Sequence, residues 1–183
     1  KPMVEIGDQP ILWHVLKIYS AQGFNEFIIC CGYKGNSIKE FFFDNYHLYN
    51  SDVTYDFEKN EIINCQTKDA PHSEKWKITL VDTGEKTETG SRLKKIEKYV
   101  QDSPLFHLVY CDVLSDINLE KLKATHLKSG KVATISAVKH PSSFGVLEIS
   151  NNVITDFHEK LISKDILING GFFVLSNDIF KYL

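Results

Sequence analysis

The sequence has no CxxC pair, no HExxH or other histidine spacing fit for a metal, no GxSxG elbow and no Walker loop. Thiol–disulfide exchange, zinc-dependent hydrolysis, serine acyl transfer and P-loop NTP hydrolysis therefore lack their usual signatures. It also lacks a basic excess: 21 Lys and Arg stand against 24 Asp and Glu, a net charge of −3. That balance argues against a general nucleic-acid binder. Small anionic ligands stay open, because a local cluster of cations and backbone donors matters more to them than the total. No apolar run approaches the ~20 residues of a membrane-spanning helix, and no stretch resembles a secretory leader. Cysteine is scarce, at Cys30, Cys31, Cys65 and Cys111. Cys30 and Cys31 are neighbours in a strand-like run, so they point to opposite faces and cannot chelate one ion together. All four are expected to be reduced, mostly core residues of a cytoplasmic protein.

What is present is ordinary globular material, 183 residues with 43% hydrophobic and 25% charged content. That length suits a single domain, which would bury roughly 70% of the surface its unfolded chain exposes. The chain opens on "KPMVEIGDQP" and stops at "NDIFKYL" inside a helix-like pattern. Neither end looks like a natural terminus, so residues 1–183 are expected to be a fragment.

Ile11, Leu12, Val15, Leu16 and Tyr19 recur at helical spacing, with Pro10 suited to the first turn and Gly23 to the stop. "EFIICCGY" is a continuous apolar run of the kind found in strands covered on both faces. "NSIKEFFFDNY" reads as a helix, "DVTYDF" and "WKITLVD" as strands, and the polar stretch between them as a loop or small hairpin. "GSRLKKIEKYVQ" predicts one helix with Leu93, Ile96, Val100 and Tyr99 on its apolar face. "LFHLVYCD" is the next strand and "INLEKLKATHLKSG" the next helix, stopped by Gly130. "KVATISAV", "FGVLEIS", "NVITDFHEK" and "LINGGFFVLS" follow as strands. Helix and strand alternate through the first two-thirds, which predicts an α/β fold, a Rossmann-like mixed, mostly parallel sheet flanked by helices, with antiparallel additions at the end. Ligands in such sheets bind beyond the carboxyl ends of the strands.

Three stretches fall where chemistry would sit. Asp112 closes the strand "LFHLVYCD". A carboxylate there suits magnesium, a hard cation that keeps waters while bridging to substrate phosphates; it equally suits the cap of a following loop. Asp116 is placed to N-cap or introduce the helix after it. In "LVDTGEKTETGSRLKKI" a strand runs into Asp82-Thr83-Gly84 and a polar loop, and then Thr89-Gly90-Ser91-Arg92 opens a helix. Free N–H groups at a helix start and an arginine suit a phosphate or a base edge; a capped surface loop with a solvated basic face would look the same. Finally, Glu159 and Lys160 precede Asn169-Gly170-Gly171. Consecutive glycines in an apolar strand point to a bulge or a close ligand approach, although a plain hairpin with a salt-bridged edge fits as well. His14, beside Trp13 on a helix, reads as packing or solvated.

The order of "KPMVEIG", "QPILWHVLKIYS", "FIICCGYKG", "ITLVDTG", "TGSRLKK", "ATISAV", "FGVL", "EK" and "INGGFFVL" resembles the glucose-1-phosphate cytidylyltransferase family of the sugar-nucleotide pyrophosphorylase superfamily. The resemblance covers nearly the whole chain. It implies a magnesium-dependent reaction of CTP with α-D-glucose 1-phosphate, giving CDP-glucose and pyrophosphate for polysaccharide biosynthesis, without nucleic acid or membrane; a homo-oligomer is compatible with it. It also implies roles. Lys1 would contact phosphates, and Thr89, Gly90 and Arg92 would lie near the cytosine and the nucleotide phosphates. Asp112 would be the first magnesium ligand. Gly145, Glu159, Lys160, Asn169 and Gly170 would surround the glucose phosphate. The family carries a GGxGTRL loop before "KPMVEIG" and a second metal-binding aspartate after "INGGFFVL", and both lie outside these residues. Where the family has GDGVSD this chain has "CDVLSD", so Cys111 and Val113 are expected to crowd backbone that approaches nucleotide and metal. Other nucleotides or sugar phosphates, and a non-catalytic nucleotide-sugar-binding domain, are the alternatives.

Overall fold

The computed structural model describes residues 1–47, 51–67, 74–141, 146–158 and 162–183, and side chains for residues 1–43, 54, 56–61, 74–139, 148–157 and 167–183. The first ten residues double back as β1 (Glu5–Ile6) and β2 (Gln9–Pro10), with Gly7 at φ +64 in the tight reversal. Pro10 then caps α1 (Ile11–Ser20). Its side chain makes no cap bond; instead the carbonyls of Val4 and Pro2 accept the N–H groups of Ile11 and Leu12. Orphan donors at a helix start need such partners. The predicted stripe is confirmed, since Leu12, Val15, Leu16 and Tyr19 are buried.

β3 (Glu26–Cys31) leads into α2 (Gly35–His47). β4 (Ser51–Asp56) and β5 (Glu61–Thr67) form the small hairpin predicted for the polar stretch. β6 (Lys77–Asp82) returns to pair with β3 in parallel, from Glu26 opposite Lys77 to Cys31 opposite Asp82. The single helix expected after it is two, α3 (Thr89–Lys95) and α4 (Glu97–Val100), parted at Ile96 with φ −98 and ψ 3. The break leaves the stripe intact because Leu93, Ile96 and Val100 all stay buried, whereas Tyr99 faces solvent.

β7 (Leu105–Val109) precedes α5 (Leu119–Ser129), which Gly130 ends in the left-handed conformation, as its composition predicts. Asp116 is not the cap; Asn118 is, its Oδ1 accepting from the Lys121 N–H at 2.7 Å. β8 (Ala133–Pro141), the hairpin β9 (Val146–Ser150) and β10 (Val153–His158), and β11 (Ile162–Ser176) make up the antiparallel last third. β11 runs antiparallel between β7 and β8. A 3-10 turn, Asn177–Tyr182, ends the chain.

Strand alternation divides the core. Ile28 and Cys30 of β3, Val81 of β6, and Phe106 and Leu108 of β7 turn towards Leu93, Ile96 and Val100 of α3 and α4. Phe27 of β3 and Val109 of β7 turn the other way, to Val15 and Tyr19 of α1 and Leu119 of α5. Period-2 side chains with helices on both faces explain why these strands are apolar at successive positions. The architecture is mixed α/β, as the sequence predicts, but not mostly parallel: among the described residues β3–β6 is the parallel pair and the other strand pairs are antiparallel. Among the described residues no helix is long and apolar enough to cross a membrane.

Candidate active site

The parallel pair β3–β6 ends in a polar lock. Thr83, which has no exposed surface, follows Asp82 and donates both its N–H and its hydroxyl to the Cys31 carbonyl, each at 2.8 Å. Its Oγ1 accepts from Arg92 Nη1 at 2.6 Å, while Arg92 Nη2 donates to the Glu85 carbonyl at 3.1 Å. Lys95 Nζ donates to the Thr83 carbonyl at 2.7 Å. Gly84, at φ +88, donates its N–H to Asp82 Oδ1 at 2.9 Å, so the loop turns back over the strand ends. Thr89 and Gly90 stand in the first turn of α3, with Thr89 exposed. Gly90 borders a shallow depression lined also by Ser91, Lys94, Lys95 and Leu183. Both of its lysines are committed to the protein, Lys94 to the Phe180 carbonyl and Glu97, Lys95 to Thr83 and Thr87.

Asp112 lies just past β7, after Tyr110 extends the ladder by donating its N–H to the Gly171 carbonyl at 3.2 Å. The Asp112 side chain is exposed and makes no hydrogen bond or ion pair among the described residues. Its neighbours Cys111 and Val113 are each half-buried. Cys111 packs against the Leu12, Ile29, Cys31 and Ile38 cluster, and Val113 against Val15, Tyr19, Leu119 and Phe172. Both side chains meet core clusters while the carboxylate stays outside. Burial pushes the Cys111 thiol up and the Asp112 carboxylate adds to that, while a backbone hydrogen bond opposes it. Met3, two residues after Lys1, packs on the same cluster as Cys111.

Asn169, Gly170 and Gly171 occupy the bulge anticipated for paired glycines: the β8 register slips between Asn169 and Phe173. Asn169 Oδ1 accepts from the Gly171 N–H at 2.8 Å, and its Nδ2 donates to Tyr110 Oη at 3.3 Å. What approaches the glycines is the chain itself. A Cβ on Gly170 would lie 2.6 Å from Ser136 Oγ, and one on Gly171, already at φ +82, 3.2 Å from Val113 Cγ2. Through Tyr110 the bulge reaches the strand that ends at Asp112. Gly145, Glu159 and Lys160 lie outside the described residues.

Sequence reasoning did not single out Thr83, Tyr110 or Gly32, the last sitting beneath the Arg92 guanidinium. Their only local signal is position just beyond a strand's end. Among the described cysteines burial raises Cys30, Cys31 and Cys111 alike, which disfavours the thiolate a nucleophile needs. The described residues contain no group of three His, Cys, Asp or Glu able to hold a metal. One exposed carboxylate fits a hydrated magnesium that arrives with a polyphosphate, which needs only one or two protein ligands.

A nucleotidyl transferase family model matches residues 1–183. The glucose-1-phosphate cytidylyltransferase of Salmonella typhi is 44% identical over 179 residues, 98% of this chain and 68% of that protein. The probable glucose-1-phosphate cytidylyltransferase of Bacillus subtilis is 43% identical over 183 residues, 100% of this chain and 69% of that one. Among solved structures, HddC from Yersinia pseudotuberculosis superposes with TM-score 0.64 at 21% identity, covering 100% of this chain and 69% of its own. The UTP-bound UGPase of Acinetobacter baumannii gives 0.62 at 16%, covering 100% and 68%, and at these identities both speak for the fold alone. With its whole length matched and its fold shared, the chain belongs to the nucleotidyl transferase family.

Proposed function

We propose that this protein transfers a cytidylyl group from CTP to α-D-glucose 1-phosphate, giving CDP-glucose and pyrophosphate. The observation that carries the reading is the exposed Asp112 carboxylate just past β7, with no hydrogen bond or ion pair among the described residues, together with Arg92 held by Thr83 just past β6. The 44% identity to a glucose-1-phosphate cytidylyltransferase sets the substrates.

An oxygen of the sugar phosphate attacks the α-phosphorus of CTP, and the bond to the pyrophosphate oxygen breaks with its electron pair. The attacking phosphate is already ionised near neutrality, so no general base is needed. Alignment and charge neutralisation are what such a reaction asks of a protein. Arg92 and Lys1 offset negative charge on the nucleotide phosphates. Thr89 and Gly90 sit beside the cytosine, Asn169 and Gly170 orient the glucose, and Lys160, Glu159 and Gly145 join them by their match to the family. Asp112 would hold Mg2+, which neutralises phosphate charge when bound. Reduced thiols at Cys30, Cys31 and Cys111 suit a cytoplasmic enzyme.

The test is pyrophosphate release with glucose 1-phosphate and each of CTP, UTP, dTTP and GTP, with and without magnesium. CTP with magnesium is expected to win. Equal rates for all four, or CDP-glucose binding with no turnover, would defeat the reading. A non-catalytic binding domain was favoured only by the replaced glycines around Asp112, and those side chains turn inward.

A further inference from the structure

Arg92 is the only arginine in the sequence, set among twenty-one cationic residues in all. Neutral groups hold it. Its Nη1 and Nη2 donate to the Thr83 hydroxyl and the Glu85 carbonyl, and no carboxylate pairs with it among the described residues. A guanidinium has five N–H donors, so three are left over. A cation fixed by neutral acceptors keeps its full charge for an anion, whereas one paired to a carboxylate does not.

Two features define its seat. The Thr83 hydroxyl donates to the Cys31 carbonyl, which turns an oxygen lone pair to Arg92. Gly32, the residue after β3, supplies the floor: a Cβ there would overlap Cζ and both Nη atoms of the guanidinium. Gly32 has no left-handed φ, so its backbone suits other residues. What glycine provides is an empty volume that the guanidinium fills. Gly32 directly follows β3, so the guanidinium over it sits at that strand's carboxyl end.

We propose that Gly32 and Thr83 are positioning residues that seat Arg92 against the nucleotide phosphates before substrate arrives. This rests on the reading of Arg92 under the proposed function and goes beyond it by naming what makes the arginine effective. A long side chain held beforehand loses no freedom on meeting its anion, and that is the value of a built seat.

Arg92 is the single arginine of residues 1–183, and in side-chain NMR of arginine-labelled protein the signal lost in Arg92→Lys identifies it. Wild type is expected to show Nη protons restrained by slow rotation about Cζ–Nη, and Gly32→Ala to show them averaged. In steady state, Gly32→Ala is expected to lower kcat roughly ten- to hundredfold, with KM for glucose 1-phosphate unchanged and the thermal midpoint within a few degrees of wild type. Adding Arg92→Lys to Gly32→Ala should cost little more than either alone, since both remove one seated guanidinium. Thr83→Ser, which keeps the hydroxyl, should retain kcat, and Thr83→Val should lose it. Wild-type kcat and restrained Nη protons in Gly32→Ala, beside a crippled Arg92→Lys, would overturn the proposal and leave the reading of Arg92 standing. A fully active Arg92→Lys would overturn both.

Discussion

His126 and Ser176 stand fifty residues apart and share a hydrogen bond of 2.8 Å. The other ring nitrogen of His126 lies 2.9 Å from Thr134 Oγ1, so one buried imidazole ties α5 to both β8 and β11. Replacing it with leucine leaves two half-buried hydroxyls without their partner. The expected loss is about 2–4 kcal/mol. Urea unfolding checks it, and a loss under half a kilocalorie would show the tie to be idle.

His107 is the opposite case. Its ring packs edge-on to Phe24 with centroids 4.6 Å apart, and neither ring nitrogen finds a partner among the described residues. Burial, and then Lys123, holds its pKa below the ordinary 6.5; His126 acts the same way and Glu120 opposes. The folded ring therefore stays neutral where the unfolded chain already takes up a proton. Stability from this group is whole above about pH 6.5 and drains away as pH falls towards the folded value. His107→Phe should flatten that slope and raise stability near pH 7 by about 1 kcal/mol. A denaturant midpoint followed from pH 7 to pH 5 measures both, and an unchanged slope would contradict the account.

Asp112→Asn tests the carboxylate. Since Asp112 makes no hydrogen bond or ion pair among the described residues, its replacement should leave the unfolding midpoint where it is. Turnover with CTP and magnesium should fall roughly a hundredfold or more, comparable to losing an electrostatic stabiliser. Near-native turnover would remove Asp112 from the site.

Cys111→Gly with Val113→Gly would restore the family's glycines. Both side chains pack on core clusters, so the double change should cost about 2–4 kcal/mol and bring no gain in kcat. A faster enzyme would mean that these side chains do hinder the nucleotide.

Much of this could be read in the sequence, for a physical reason. The Leu12–Tyr19 stripe, the two-faced strand at Phe27–Cys31 and the Gly130 stop are local patterns, and a chain obeys them wherever they fall. Asp112 at a strand's end and the Gly170–Gly171 bulge were legible for the same reason. Choices between near-equal candidates were not. Asp116 and Asn118 both suit a cap, and only the exact first turn picks Asn118. The seat of Arg92 was hidden too, because Thr83 meets Cys31 across 52 residues and nothing local to either announces the other. The inward packing of Cys111 and Val113 was hidden because both lie past the end of β7, where no strand period fixes a face.

The groups assigned to the base hang from the β6–α3 passage, and Asn169 and Gly170, assigned to the sugar, from β11, two lengths of chain that among the described residues share interior packing. Descendants of such a plan are free to change diet on one side while keeping their grip on the other. A graft of residues 83–92 between cousins should carry a nucleotide appetite with it and leave the taste for hexose behind.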